Sequence, residues 1–207
     1  MNNRNLIVAL AVVALLAVAA TTAGCATNTS PSPTPLAASD TTVRNNTTFS
    51  SGAGFKVTYP SNLTKDSTTN PSEPAKVIIY LNYPNTKVTG VNVVTVPLSS
   101  GEKQADFVDS NLNQLRNYSS TGFYKNFTIL NETNLTFAGK PAHQIVFSGI
   151  VPQQYSKENA TNESIKTTQI WLTNNNTGYT VAYKAVANEY DTYLAQAQRI
   201  MNSFVLT

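Results

Sequence analysis

Cysteine and histidine are almost absent from this chain, which has one of each in 207 residues. The single cysteine, Cys25, excludes a disulfide within the folded domain, so in an oxidising compartment stability must come from burial. A metal site normally takes three or four protein ligands, and no cysteine or second histidine can join His143. The sequence therefore predicts a protein that holds no metal or other cofactor.

Charge is also scarce, because Asp, Glu, Lys and Arg make up only 12% of the chain. The 14 basic and 11 acidic residues give a formal net charge of +3. Removal of an N-terminal leader containing Arg4 would leave 13 basic and 11 acidic residues, a net charge of +2. The basic residues are scattered rather than gathered in a patch, which argues against a nucleic-acid partner.

Motifs for nucleophilic or phosphate chemistry are missing as well. The chain has no Gly-x-Ser-x-Gly elbow and no glycine-rich phosphate loop. A Ser-His-acid triad would have to use His143, which alternates with Ile145 and Phe147 and so favours a structural, hydrogen-bonded histidine. Two carboxylates meeting from distant positions stay open as an alternative. We expect a protein that is not an enzyme, the alternative being an envelope hydrolase that uses carboxylates or His143.

The N-terminal 25 residues have the three parts of a secretory signal. Arg4 is followed by an apolar run over residues 6–20 and then by Thr-Ala-Gly-Cys ending at Cys25. This ending resembles the lipobox of prokaryotic lipoproteins, which implies a cleaved signal peptide over residues 1–24 and a lipid on Cys25. An uncleaved signal anchor is the alternative, since the apolar run is about long enough to cross a bilayer. Both interpretations predict a domain held at the extracytoplasmic face of the cell membrane.

A proline-rich segment follows the leader. Residues 30–35 alternate Pro with Ser or Thr, a composition typical of an extended, solvated linker. We therefore expect the lipidated cysteine and linker to cover residues 25–51, and one folded domain to cover residues 52–207.

Asn, Ser and Thr are abundant and create many Asn-X-Ser/Thr sequons. These lie at Asn28, Asn45, Asn46, Asn62, Asn117, Asn126, Asn131, Asn134, Asn159, Asn162 and Asn175. An Asn- and Thr-rich chain also produces sequons by chance. In an exported lipoprotein, this density favours a glycoprotein from an N-glycosylating organism, with an archaeon as the expected source. The main candidates are Asn62, Asn117, Asn159, Asn162 and Asn175.

Hydrophobic periodicity predicts an α+β domain with a mostly antiparallel sheet flanked by helices. Strands are expected over residues 55–60, 76–81, 90–96, 123–137, 142–149, 166–173 and 179–186, with a hairpin turn over 174–178. One helix is expected over 102–117, because Ser99 and Glu102 have capping-box spacing. A final helix follows Asn188, and an apolar stripe predicts that Leu194, Ile200 and Phe204 are buried.

Four short motifs occur in a familiar order along the domain. They are Phe-x-Val-x-Tyr-Pro at 55–60, Gly-Lys-Pro-Ala at 139–142, Tyr-x-Val-x-Tyr at 179–183 and Ser-Phe at 203–204. Their order and spacing resemble the PsbP-like family over nearly the whole domain. The resemblance implies the α/β/α sandwich that this family shares with the nuclear-transport factor Mog1. It also implies a non-enzymatic role and no particular reaction.

The chain has ten tyrosines, and two of those in predicted loops are candidates for contact with a partner. Tyr83 precedes a proline, and Tyr155 lies in the polar loop after the fifth strand, so both are candidate exposed contact residues. We expect a membrane-tethered binding or assembly module whose partner is an envelope protein or a glycan.

Overall fold

The computed structural model describes residues 45–66, 76–86, 88–152 and 162–207, which form ten strands and two helices. In chain order the elements are β1 Asn46–Ser51, β2 Phe55–Pro60, β3 Thr64–Asp66, β4 Lys76–Asn82, β5 Gly90–Pro97, α1 Gln104–Ser120, β6 Lys125–Phe137, β7 Lys140–Val151, β8 Glu163–Asn174, β9 Thr177–Val186, α2 Tyr190–Asn202 and β10 Val205–Leu206. Seven strands form one sheet in the order β3-β4-β5-β9-β8-β7-β6. The strands β1, β2 and β10 form a smaller second sheet.

Both sheets are antiparallel throughout, so the predicted fold class is confirmed. The helix α1 packs on one face of the large sheet, against β6, β7 and β8. The opposite face carries α2, which packs against β5, β9 and β2. We call these two surfaces of the large sheet the α1 face and the α2 face.

Two tight hairpins set the register of the long strands. The β8–β9 turn uses Asn175 and Asn176 at φ values of 47° and 56°, and the β6–β7 turn uses Ala138 and Gly139 at 50° and 74°. Two successive positive φ values match the turn twist that antiparallel strands prefer, and Asn and Gly adopt them most readily. The predicted hairpin over 174–178 is therefore confirmed.

The α2 face contains the larger aromatic core. Phe204 stacks on Phe55 and Phe137 with ring-centroid distances of 5.2 and 5.7 Å. Ile200 and Phe204 are buried as predicted, at 2% and 1% exposure. The same prediction is wrong for Leu194, which is only partly buried because it borders a groove beside α2.

The helix α1 buries Phe107, Leu112 and Leu115 against Trp171 of β8. It begins at Gln104 rather than Glu102, because the Ser99–Glu102 pair closes a turn before the helix instead of capping it. The cap is formed four residues farther along, where the Lys103 amide donates to Asp106 Oδ2 over 3.1 Å.

The folded part extends into the segment predicted as linker. Residues Asn46–Ser51 pair with β2 along their full length, and the Phe49 ring lies 6.1 Å from Phe55. An apolar ring inside an otherwise Asn/Thr-rich segment gains burial by joining the sheet, which explains the shift of the boundary. Within the described residues, neither helix is long and apolar enough to span a bilayer. The predicted leader and Cys25 lie outside those residues.

Candidate functional site

Each helix covers only half of its sheet face, and each uncovered half forms a depression. On the α2 face this depression lies between α2 and the strands β7 and β8, with a volume of about 320 Å³. We call it the α2 groove; it is lined by Gln144, Val146, Lys166, Thr168, Ile170, Tyr183, Tyr190, Leu194, Gln198, Met201 and Asn202. Its volume is within the range of small-molecule sites in proteins.

Tyr190, the first residue of α2, is fixed at one end of the α2 groove. Its hydroxyl is hydrogen-bonded to the hydroxyl of Thr168, and its carbonyl accepts a 2.8 Å hydrogen bond from the Tyr183 hydroxyl. Burial raises the pKa of both tyrosines above the ordinary value, so both phenols stay neutral at physiological pH. Both phenols at this end of the groove are therefore uncharged and held by hydrogen bonds.

One cation borders the α2 groove, and its charge is already compensated. The Lys166 ammonium lies 4.2 Å from the centroid of the Tyr190 ring and 3.6 Å from Asp191 Oδ1. The other lining residues are amides, a threonine, tyrosines and aliphatic side chains. Amides above an apolar floor suit a neutral ligand with both polar and apolar parts.

The second depression lies on the α1 face, where α1 leaves β4, β5 and β9 uncovered. We call it the Lys184 cleft; its lining consists of Tyr80, Asn82, Val88, Gly90, Val91, Asn92, Val94, Tyr124, Thr167, Gln169, Thr180, Ala182 and Lys184. The space open to the centres of water molecules is about 40 Å³. This is room for roughly three waters, since one water takes about 10–15 Å³ measured in this way.

Strand register explains which side chains meet in the Lys184 cleft. Asn82, Gly90, Lys184 and Thr167 stand opposite one another across the four neighbouring strands β4, β5, β9 and β8. Directly opposed residues on one sheet face are close neighbours. Gly90 has no side chain, so it leaves a space in this row of residues next to Lys184.

Lys184 is half-buried in this cleft. Burial lowers its pKa to about 8, and the carboxylate of Glu163 opposes this effect through its charge. Among the described residues, two further cleft atoms are buried without a hydrogen-bond partner, namely Asn92 Oδ1 and Thr167 Oγ1. The cleft thus combines a desolvated cation with unused hydrogen-bonding capacity.

His143, one of the groups that the hydrolase alternative would use, is held on both sides of its ring. Its Nδ1 lies 2.8 Å from Asn134 Oδ1, its Nε2 lies 3.1 Å from Glu132 Oε1, and its ring stacks on Trp171 at 5.7 Å. Ser148 is on the opposite face of β7, because its position differs from 143 by an odd number. This geometry fixes the orientation of the histidine, and the Ser148 hydroxyl does not face it.

The sequence predicted two exposed contact residues, Tyr83 and Tyr155. The exposure predicted for Tyr83 is wrong, because the side chain is 3% exposed and its ring lies 4.6 Å from that of Tyr193. The alternation of β4 explains this, since Tyr83 follows Ile79 and Leu81 onto the buried α2 face. Tyr155 lies outside the described residues.

The sequon asparagines Asn62, Asn117, Asn162 and Asn175 are exposed, as their modification requires. Asn159 lies outside the described residues, as does the predicted lipid site Cys25. In the described part of the chain, no three His, Cys, Asp or Glu side chains are close enough to hold a metal ion.

The sequence did not single out Lys184 or the residues of the α2 groove. A signal existed for Lys184, because Thr180, Ala182 and Lys184 alternate with the core residues Tyr179, Val181 and Tyr183. A lysine on a strand buried on both faces is unusual and marks a site worth testing.

The fold defines an α/β/α sandwich, and solved structures share it. CyanoP, the cyanobacterial PsbP of Synechocystis sp. PCC 6803, aligns over 81% of this chain and 96% of its own at 12% identity, with a TM-score of 0.58. LpqN of Mycobacterium tuberculosis, described as involved in cell envelope biogenesis, aligns over 79% and 91% at 12% identity, with a TM-score of 0.50. The Saccharomyces cerevisiae Ran-binding protein Mog1p aligns over 79% and 96% at 10% identity, with a TM-score of 0.46.

The family model described as PsbP-like protein matches residues 6–206. The chain belongs to the PsbP-like family, as its sequence motifs indicated. No curated protein matches the sequence.

Proposed function

We propose that this protein is a lipoprotein tethered to the extracytoplasmic face of the membrane, where it binds an envelope component without catalysing a reaction. The α2 groove is the binding surface in this proposal. The observation that carries it is the combination of a volume of about 320 Å³ with a lining of amides and aliphatic side chains. LpqN, which shares the fold, is described as involved in cell envelope biogenesis.

The chemistry of the α2 groove supports binding rather than turnover. An acid–base mechanism needs two titratable groups that reach one substrate. The groove offers Lys166, whose ammonium is committed to Tyr190 and Asp191, and two tyrosines whose pKa burial raises. Its neutral lining suits a segment of an envelope protein or a glycan.

In-cell photo-crosslinking tests the proposal in the full-length lipoprotein. A photoreactive phenylalanine analogue at Leu194, which lines the groove, should crosslink to an envelope component. The matched control places the same analogue at Ala195, which is exposed on the same helix and does not line the groove. Equal labelling from both positions, or none from either, would reject the groove as the binding surface.

The tether has its own test. Replacing Cys25→Ser should block lipidation and processing, so the variant should keep its leader and lose the lipid mass. Intact mass after membrane fractionation measures this. A variant that still shows the wild-type mature mass in the membrane fraction would contradict a lipid on Cys25.

Glycosylation of the native protein belongs to the same proposal. Intact mass before and after chemical deglycosylation should show added sugar, and peptide mapping should place it first on the exposed Asn62, Asn117, Asn162 and Asn175. A native mass equal to that of the lipidated polypeptide would eliminate glycans from the account.

The hydrolase alternative uses carboxylates or His143, and the carboxylate of Glu132 lies next to that histidine. Purified domain should show no turnover of envelope glycans, peptides or esters. A turnover that is lost in His143→Gln, while the variant keeps its melting temperature, would overturn the non-enzymatic proposal.

A further inference from the structure

We propose that the Lys184 cleft binds the carboxylate group of a small ligand or of a peptide C-terminus. This site lies on the α1 face, opposite the α2 groove, and it does not depend on the function proposed for that groove. The proposal is based on the residues that four strands bring into one row, on the charge of the cleft and on its size.

The cleft offers one cation and no competing carboxylate. Among the described residues that line it, Lys184 is the only one with a formal charge. The Lys184 ammonium makes no hydrogen bond or ion pair with another described residue. The acidic group that acts on it is Glu163, which does not line the cleft. A half-buried ammonium whose acidic neighbour lies outside the cleft lining favours an anionic ligand.

The polar atoms around the cation can complete the site. The Thr167 hydroxyl has no partner among the described residues and can donate to an oxyanion, as can the side-chain amide of Asn92 once its oxygen and nitrogen exchange places. Gln169 Oε1 already accepts a 3.0 Å hydrogen bond from Trp171 Nε1, which directs its amide nitrogen elsewhere. Both atoms can therefore bond a polar group that enters the cleft.

Size selects the carboxylate among the common oxyanions. The cleft has room for roughly three water-sized groups, and a carboxylate has three heavy atoms. Phosphate and sulfate have five heavy atoms and carry more charge than one ammonium can balance. Val88, Val94 and the Tyr124 ring form apolar walls that can contact the carbon attached to the carboxylate.

The pH dependence of binding follows from the groups that surround Lys184. They are Tyr80 from β4, Tyr124 next to β6 and Glu163 from β8, while β5 presents only neutral side chains. Burial raises the pKa of Tyr124, so this phenol stays neutral when Lys184 titrates. The protonated ammonium is the form that binds an anion, so affinity should fall as the pH rises from the free pKa of about 8 towards the higher pKa of the ligand-bound state.

The experiment titrates the purified mature protein with butyrate, with its uncharged analogue butyramide and with inorganic phosphate. A second arm uses a short peptide with a free C-terminus and its C-terminally amidated form. Calorimetry gives the affinities, and NMR follows the Lys184 ammonium and the backbone amides of the cleft.

We expect butyrate or the free-acid peptide to bind, their neutral analogues and phosphate not to bind, and the pKa of Lys184 to rise on binding. The arm that binds identifies the source of the carboxylate. Lys184→Met should weaken binding about tenfold or more, since it removes a charge-assisted hydrogen bond. Lys140→Met is the matched control, because Lys140 is exposed and lines neither depression, and it should leave this affinity unchanged.

Four outcomes would overturn the proposal. They are failure of both carboxylates to bind, binding of butyramide as tight as that of butyrate, stronger binding of phosphate, and an affinity that survives Lys184→Met. Melting curves of the variants separate these outcomes from a loss of the fold, and Thr167→Val provides a second variant. It should weaken carboxylate binding less than Lys184→Met does.

Discussion

The two faces of the large sheet use the same strands but bury different chemistry. On the α2 face, Phe55, Phe137 and Phe204 form an aromatic core, and the Tyr179 hydroxyl donates to the Ala53 carbonyl over 2.8 Å. On the α1 face, the open half buries Thr167 Oγ1 and Asn92 Oδ1 without partners in the described structure. The α2 face therefore stabilises the fold. Part of the α1 face instead buries unpaired polar groups, which lowers stability.

This difference explains how one fold can present two unlike depressions. The α2 groove combines neutral amides with aliphatic side chains, while the Lys184 cleft holds an ammonium whose pKa burial lowers to about 8. Each helix covers a different half of the sheet, so the depressions lie diagonally across it. We infer that the α2 groove suits a neutral envelope ligand and the Lys184 cleft an anion.

The largest effect should come from the aromatic core of the α2 face. Phe204→Ala should lower the free energy of unfolding by about 3–5 kcal/mol, because it leaves a cavity between buried rings. Leu194→Ala in the preceding helix α2 is the matched comparison and should cost clearly less, since Leu194 is partly exposed at the groove. Urea unfolding measures both variants. Equal losses of unfolding free energy in the two variants would show that Leu194 is as tightly packed as Phe204, which would contradict an open groove beside Leu194.

A smaller effect should appear on the α1 face as a function of pH. The pKa of Lys184 is lowered from 10.5 to about 8, so between these values the unfolded chain holds this proton more often than the folded chain. The free energy of unfolding should therefore rise with pH across this window, in contrast to most groups that titrate there. The free energy of unfolding of wild type minus that of Lys184→Met isolates the contribution of Lys184, because the contributions of the other titrating groups are the same in both proteins. A difference that is flat with pH would contradict the burial of the ammonium.

The smallest and sharpest test compares two neighbouring threonines of β8 that face opposite sides of the sheet. Thr168→Val removes a hydroxyl bonded to Tyr190 on the α2 face and should lower stability by about 1 kcal/mol. Thr167→Val removes the orphan hydroxyl of the Lys184 cleft and should be neutral or raise stability by about 1 kcal/mol. Equilibrium unfolding in urea measures both changes. A change in unfolding free energy of the same sign in both variants would contradict the difference in hydrogen bonding between the α1 face and the α2 face.

Local patterns in the sequence predicted much of the fold for physical reasons. The Asn-rich turn at 174–178 and the apolar stripe of α2 are short-range features, and both elements formed where they were expected. The strand β1 was missed because only Phe49 distinguishes it from the polar linker before it. Its partner β2 supplies the pairing that the local sequence does not show.

The two depressions could not be predicted in the same way. The Lys184 cleft depends on Asn82, Gly90, Thr167 and Lys184 standing in one row, although about a hundred residues separate the first from the last. The α2 groove likewise needs the angle at which α2 crosses β8. Such long-range register and packing arise from the whole fold, so no periodicity in one segment specifies them.

The central claim is that the α2 groove binds an envelope component and leaves it chemically unchanged. The most direct measurement uses the envelope component identified by photo-crosslinking at position 194. This component is purified and incubated with wild-type protein and with Leu194→Asp. Its affinity for each protein and its mass after incubation are then measured. The account predicts tight binding to wild type, loss of about tenfold or more in the variant, and an unaltered ligand mass. Binding that survives Leu194→Asp, or a ligand recovered with a changed mass, would contradict it.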